Sequence, residues 1–93
     1  TAYNIIGWYG MCRIHDPGPA VMAKIQRVCA WFRDRQNADG SWPYPHTTSS
    51  TRWGHGCLQD AMAMLFAYRM FSEESFLASA KRSIASIASF DPP

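Results

Sequence analysis

The apolar periodicity of residues 20–36 constrains the fold of this chain more than any other feature. Apolar side chains recur there at steps of three and four residues, which is the spacing of one face of an α-helix. They are Val21, Met22, Ile25, Val28, Cys29 and Phe32. Pro19 has the backbone angle of a first helical turn, and Lys24 and Arg27 lie on the opposite face. The sequence therefore predicts an amphipathic helix whose apolar face must be covered.

Two further segments have helical patterns. Residues 2–14 are dense in apolar and aromatic side chains, which favours a buried helix. Residues 57–71 place four apolar side chains on one face, and their alanines permit close approach of another helix. These four are Leu58, Met62, Leu65 and Phe66.

A fourth helix is predicted over residues 73–90. Ser72 is a favourable N-cap, and Glu73 and Glu74 would lie in the first turn, where the helix dipole favours negative charge. No segment alternates as a strand does. The sequence predicts an all-α fold of antiparallel helix hairpins, the repeat unit of a partial (α/α) barrel or toroid.

Between the second and third predicted helices lies a long loop over residues 37–56. It is dominated by turn formers and hydroxyl side chains, and it carries Trp42 and Trp53. Loops of this length are usually functional or specially packed. We expect the two indoles to anchor it.

Composition excludes several classes of protein. A net charge of +2 with dispersed arginines gives no support for nucleic-acid binding. No apolar run approaches the roughly 20 residues that span a membrane, and three cysteines do not suit a disulfide-stapled secreted domain. We expect a soluble, reduced, cytoplasmic protein. At 93 residues, starting at Thr1, the chain is expected to be a single segment of a larger α-barrel domain, covered by a longer chain or a partner subunit.

The most informative motif runs from Trp31 to Trp42 and reads WFRDRQNADGSW. It combines the aromatic pair of Trp31 and Phe32 with a glutamine at the predicted helix end, a glycine, and a second tryptophan. Gly40 can adopt a left-handed turn conformation, and the Gln36 amide can satisfy backbone groups at neighbouring helix ends. Trp42 could cover that amide. The motif predicts a clamp between successive helices.

This motif resembles the QW motif of terpene cyclases, and its Gln-x-x-Asp-Gly-Ser-Trp form is similar to that of class II diterpene cyclases such as copalyl diphosphate synthases. Arg27 matches the family's upstream basic residue, whereas Val28 stands where the family has glycine. Residues 1–8 resemble the family's Ser-Ala-Tyr-Asp-Thr-Ala-Trp segment, and residues 58–68 resemble the helix that follows the motif.

The resemblance implies an N-terminal part of an isomerase-type enzyme of diterpene biosynthesis. Such an enzyme cyclises a prenyl diphosphate, for example geranylgeranyl diphosphate, by protonation, with magnesium as cofactor. The family's acid lies in an Asp-x-Asp-Asp motif that this sequence lacks. The segment would therefore supply scaffold and active-site wall, with no catalytic residue and no metal ligand of its own.

Other interpretations stay open. Trp8, Trp53 and Asp60 are candidates for the active-site wall, although a solvated or capping position is the more common one for an aspartate like Asp60. A zinc site of Cys12, His15, His55 and Cys57 is disfavoured, because neither half has the spacing of a tight metal-binding turn. The alternative function is a non-catalytic helical-repeat module, similar to thioester-domain or polysaccharide-lyase toroids.

Overall fold

The computed structural model describes residues 1–43 and 54–88. These residues form four α-helices and no strand, which confirms the predicted all-α class. The helices are α1 (Ala2–Ile14), α2 (Pro19–Asp34), α3 (Gly54–Phe71) and α4 (Glu74–Ala88). Residues 89 and 90, where the fourth helix was predicted to end, lie outside the described residues.

The observed ends of α2 and α3 differ from the predicted ones. The helix predicted to reach residue 36 ends at Asp34, because the N–H groups of Arg35 and Gln36 donate to carbonyls three residues back. At the other side of the loop, α3 already begins at Gly54. The sequence placed residues 54–56 in the loop because glycine is a poor helix former, but a first helical turn tolerates it better than an interior.

Ser72 ends α3 and is not the N-cap of α4. Its φ of 55° is left-handed, and its N–H donates to the Tyr68 carbonyl over 2.7 Å. This is how a helix C-terminus is closed, although glycine is the usual residue there. The helix α4 begins two residues later at Glu74, so that Glu73 precedes the first turn and is available for other contacts.

The core lies mainly between α3 and α4, which form the most extensive pair, while α1 packs on α3. Small side chains are buried on both helices of the pair, which allows their backbones to approach closely. These small residues are Ala63, Ala67, Ser79, Ala80 and Ser83. Phe76, Met64 and Ile5 supply the bulk of the apolar volume. The second helix, α2, contacts the others less extensively.

The predicted packing of α3 is confirmed in part, whereas that of α1 is wrong. On α3 the alanines that were expected to allow close helix approach are buried, namely Ala61, Ala63 and Ala67. On its predicted apolar face Leu65 is partly buried against the core, but Leu58 is 53% exposed and Met62 is also exposed. On α1, which was predicted to be a buried helix, only Ala2 and Ile5 are buried. Apolar density without a defined stripe does not specify which face of a helix is buried. The buried face is then the one on which the backbones of the two helices can approach most closely.

The apolar stripe of α2 is divided between two environments. Ile25, Cys29 and Phe32 enter the core, whereas Val21 is exposed and Val28 is half-buried. The part of the stripe that faces away from the core borders a groove against α1. Within residues 1–43 and 54–88, no helix is both long enough and apolar enough to cross a membrane.

Candidate functional site

A closed turn follows α2 and returns the chain toward the helix end. The Asn37 N–H donates to the Ser41 carbonyl over 2.7 Å, and the Gly40 N–H donates to the Asn37 carbonyl over 3.0 Å. The Asp39 carboxylate accepts hydrogen bonds from both the backbone N–H and the hydroxyl of Ser41. Asn and Asp side chains commonly fix turns in this way. The turn places Trp42 beside the last turn of α2.

The Gln36 carboxamide joins this turn to α4. Its Nε2 donates to the carbonyls of Gly40 and Ser79, at 2.9 Å and 3.0 Å. Its Oε1 accepts from Ser79 Oγ at 2.8 Å and from Arg82 Nη2 at 2.7 Å. An amide has two donors and two lone pairs, so its hydrogen-bonding capacity is fully used. The partners on α4 lie in the middle of that helix, and not at a helix end as the sequence suggested.

Gly40 is the point where the turn touches the backbone of α4. Its φ is 93°, a conformation that L side chains rarely adopt. A Cβ at this position would overlap the Arg82 carbonyl oxygen and would lie 2.7 Å from the carbonyl carbon. Only glycine permits both the turn and this close approach.

Trp42 covers the C-terminal end of α2. Its indole stacks on the Phe32 ring, with centroids 4.7 Å apart and planes 7° from parallel. The indole Nε1–H donates to the Phe32 carbonyl over 2.7 Å, which gives this carbonyl of the last helical turn a second hydrogen bond beside that from the Arg35 N–H. Trp42 is only 5% exposed. The predicted anchoring role fits this geometry, but the ring rests on Phe32 and not, as suggested, on the Gln36 amide.

Four of the five residues in the predicted motif therefore meet at one place: Phe32, Gln36, Gly40 and Trp42. We call this set the clamp. Trp31 is not part of it, because its side chain is 52% exposed and carries the Arg35 guanidinium 4.8 Å from the ring centroid. The aromatic pair of the motif thus divides into one core residue and one surface residue.

A second link between α2 and α4 was missed by sequence reasoning. Arg33 Nη1 donates to Glu73 Oε2 at 2.6 Å and to Ser75 Oγ at 2.7 Å, and its guanidinium lies 5.2 Å from the Phe76 ring centroid. The hydrogen bond to Asp34, with the nearby Glu73 charge, raises the pKa of Arg33 further above its ordinary value. The first-turn position assigned to Glu73 gave no indication of a partner on α2.

We expect Gln36→Glu to lower the free energy of unfolding by about 1 to 3 kcal/mol. The substitution keeps the acceptor for Arg82, but it places a carboxylate oxygen against the Gly40 and Ser79 carbonyls. Urea unfolding followed by circular dichroism measures the change. The matched control is Gln26→Glu, at an exposed position of α2, which should shift stability by less than about 0.5 kcal/mol. Equal effects at the two positions would show that the Gln36 bonds contribute nothing.

An apolar groove of about 410 Å³ lies between α1 and α2. Its wall is formed by Trp8, Met11, Cys12, Val21, Ile25 and Val28. His15, Pro17 and Lys24 complete the lining. Trp8, which was a candidate for the active-site wall, is one of the residues that line this groove. Asp60 does not have the expected solvated position, because it is 5% exposed on α3. Trp53 lies outside the described residues.

The two cysteines of α1 and α2 differ in environment. Cys29 is fully buried, and burial raises the pKa of its thiol to about 11. Cys12 is partly exposed at the groove, with its Sγ 3.7 Å from Met22 Sδ. Because thiolates are the reactive species, we expect iodoacetamide at pH 8 to modify Cys12 and to spare Cys29 until urea unfolds the chain. Peptide mass spectrometry of labelled samples measures this, and rapid native labelling of Cys29 would contradict its burial.

Within the described ranges, no three His, Cys, Asp or Glu side chains are grouped closely enough to hold a metal ion. The side chains of His55 and Cys57 lie outside what the structure describes. The structure therefore does not test the zinc site of Cys12, His15, His55 and Cys57 that the sequence disfavours. Comparison with protein-family models, with curated proteins and with solved structures found no match to this chain.

Proposed function

We propose that this chain is a scaffold segment of a class II diterpene cyclase, an isomerase-type enzyme acting on a prenyl diphosphate such as geranylgeranyl diphosphate. The single observation that carries the proposal is the clamp. Its glutamine, glycine and tryptophan have the identities and spacing of the QW motif. Gln36 donates to the carbonyls of Gly40 and of Ser79 on α4, and Trp42 donates to the Phe32 carbonyl of α2.

The mechanical use of the clamp supports the proposal. The described contacts fix the turn that follows α2 to the middle of α4 by three hydrogen bonds of the Gln36 side chain and by the close approach at Gly40. Hydrogen bonds constrain orientation more strictly than apolar contact does. Repeated along a longer polypeptide, such links would hold helix hairpins in the fixed geometry of an (α/α) barrel.

In this proposal the segment supplies part of the active-site wall and does not supply the catalytic acid. Trp8, which is half-buried in the groove wall, presents an aromatic surface of the kind that stabilises cations. The protonating aspartate belongs to a motif elsewhere in the longer polypeptide. Magnesium would be bound there as well, together with the diphosphate, as the resemblance to the family implies.

The test is to express the complete coding sequence that contains these residues and to incubate its product with geranylgeranyl diphosphate and magnesium. We expect a mass far above 10.5 kDa and a bicyclic diphosphate, identified by gas chromatography and mass spectrometry after dephosphorylation. Substituting the middle aspartate of the Asp-x-Asp-Asp motif should abolish turnover. A coding sequence without that motif, or one whose product leaves the diphosphate unchanged, would overturn the proposal in favour of a non-catalytic helical-repeat module.

A further inference from the structure

The turn that follows α2 contains the dipeptide Asp39–Gly40, the only place in the sequence where a glycine follows an aspartate or an asparagine. Glycine has no Cβ, so its nitrogen is less hindered in attacking the preceding carboxyl group than that of any other residue. An aspartate in this position can cyclise and reopen as isoaspartate. Asp39 is exposed, so water reaches its carboxyl group. The sequence identifies a reactive pair, and the contacts of the turn decide when it can react.

The reaction consists of two steps that need no reactant besides water. In the first, the Gly40 nitrogen bonds to Asp39 Cγ and loses its proton, and one carboxyl oxygen leaves as water, which gives a succinimide ring. In the second, water adds to a ring carbonyl and breaks the bond from that carbon to the nitrogen. When water adds at the main-chain carbonyl, the product is isoaspartate. The backbone then runs through Cγ and is longer by one methylene group.

The folded turn holds the two reacting groups in an orientation that prevents ring closure. The Gly40 N–H donates to the Asn37 carbonyl at 3.0 Å, so that residues 37–40 form a β-turn with Asp39 in third place. The third residue of a common β-turn has ψ of about 0°, which turns Cβ out of the plane of the following peptide, whereas the ring requires Cβ near that plane. The carboxylate also accepts from the Ser41 N–H at 3.0 Å and from Ser41 Oγ at 2.5 Å. The turn must therefore open before the ring can form.

The clamp resists that opening. Gln36 Nε2 donates both to the Gly40 carbonyl of the turn and to the Ser79 carbonyl of α4. Gly40 lies so close to the Arg82 backbone that even a Cβ would overlap it. A backbone lengthened by one methylene group next to Gly40 has no free space at this contact. Modification would therefore prevent the turn from returning to α4.

We propose that Asp39 is a site of spontaneous isoaspartate formation that the closed clamp protects. The pair reacts only when the turn has left α4, and the product keeps the clamp from closing again. Each modified molecule is thus a covalent record of one opening of the turn. This inference rests on the contacts of the turn, and it does not depend on the proposed cyclase function.

Peptide mapping of aged protein tests the proposal. The 93-residue chain is kept at neutral pH, either folded or in urea, and isoaspartate is measured in the tryptic peptide of residues 36–52. The modified peptide has the mass of the original and a different retention time. We expect the unfolded chain to react more than about tenfold faster than the folded chain. Gln36→Glu should raise the rate in the folded chain at least about fivefold, because it weakens the bonds that hold the turn on α4.

Two variants are controls. Gln26→Glu adds the same charge at an exposed position of α2 and should change the folded rate less than about twofold. Asp39→Glu lengthens the side chain, so that the succinimide ring cannot form and the product should be absent. In urea, Gln36→Glu and Gln26→Glu should react as fast as the unsubstituted chain, because the reactive pair is the same. Circular dichroism before ageing establishes that the helices of each variant are intact.

Equal rates in the folded and the unfolded chain would overturn the protection of Asp39. An equal rise in Gln36→Glu and Gln26→Glu would overturn the role of the clamp. The effect of the product is measured separately, on modified protein that has been isolated by reversed-phase chromatography and refolded. Its Gly40 N–H should lose protection from hydrogen exchange, as followed by NMR. Full protection there would show that the clamp closes over isoaspartate, which would overturn the second part of the proposal.

Discussion

Gly40→Ala is expected to lower the free energy of unfolding by about 3 to 5 kcal/mol, because two costs coincide at this residue. The left-handed φ of 93° is unfavourable for alanine, and the new methyl group would overlap the Arg82 carbonyl. The turn from Asn37 to Ser41 would have to move away from α4. That movement would also separate the Gln36 amide from its partners on Ser79 and Arg82.

Two other glycines separate these costs. Gly18 also has a positive φ, of 90°, but a Cβ there would meet nothing within 4 Å, so Gly18→Ala should cost about 1 to 3 kcal/mol of strain alone. Gly7 lies in α1 with open space around it, and Gly7→Ala should stabilise the helix by roughly 0.5 to 1 kcal/mol. Urea unfolding of the three variants gives the series. A loss at Gly40 no larger than that at Gly18 would mean that the turn does not touch α4.

The clamp was predictable from sequence because its parts are local. Residues Phe32 to Trp42 span a helix end and a turn. Gly40 indicates a left-handed backbone conformation in that turn, and Gln36 indicates a side-chain amide that pairs with backbone groups. What the sequence could not give is the partner element. Ser79 and Arg82 lie more than forty residues away from Gln36, and nothing in the sequence pattern of α4 indicates that they are its hydrogen-bond partners.

The same limit explains why part of the predicted apolar face of α3 is exposed. The alanines were expected to allow close helix approach, and Ala63 and Ala67 are buried, but the sequence did not indicate that Leu58 and Met62 would stay exposed. Close helix approach favours small residues, and which face approaches is decided by the partner helix and not by the hydrophobicity of the helix itself. The exposed remainder of the α2 stripe at Val21 follows the same rule, since no described element covers it.

Trp42→Ala is expected to lower the free energy of unfolding by about 3 to 5 kcal/mol, since it removes a buried indole and leaves a cavity against Phe32. Trp42→Phe keeps a ring for stacking but loses the Nε1–H bond to the Phe32 carbonyl, and should cost about 1 to 3 kcal/mol. Denaturant unfolding followed by the helical circular dichroism signal measures both values.

Trp31→Ala is the matched control for this pair of variants. It removes the same side chain from the same motif, but Trp31 is half-exposed and touches Arg35 instead of the core, so its loss should cost less than about 1 kcal/mol. The difference between the two tryptophans then measures what the clamp contributes beyond apolar area. If Trp42→Ala costs less than about 0.5 kcal/mol, the indole does not close the end of α2, and the clamp loses the contact that joins its turn to the helix.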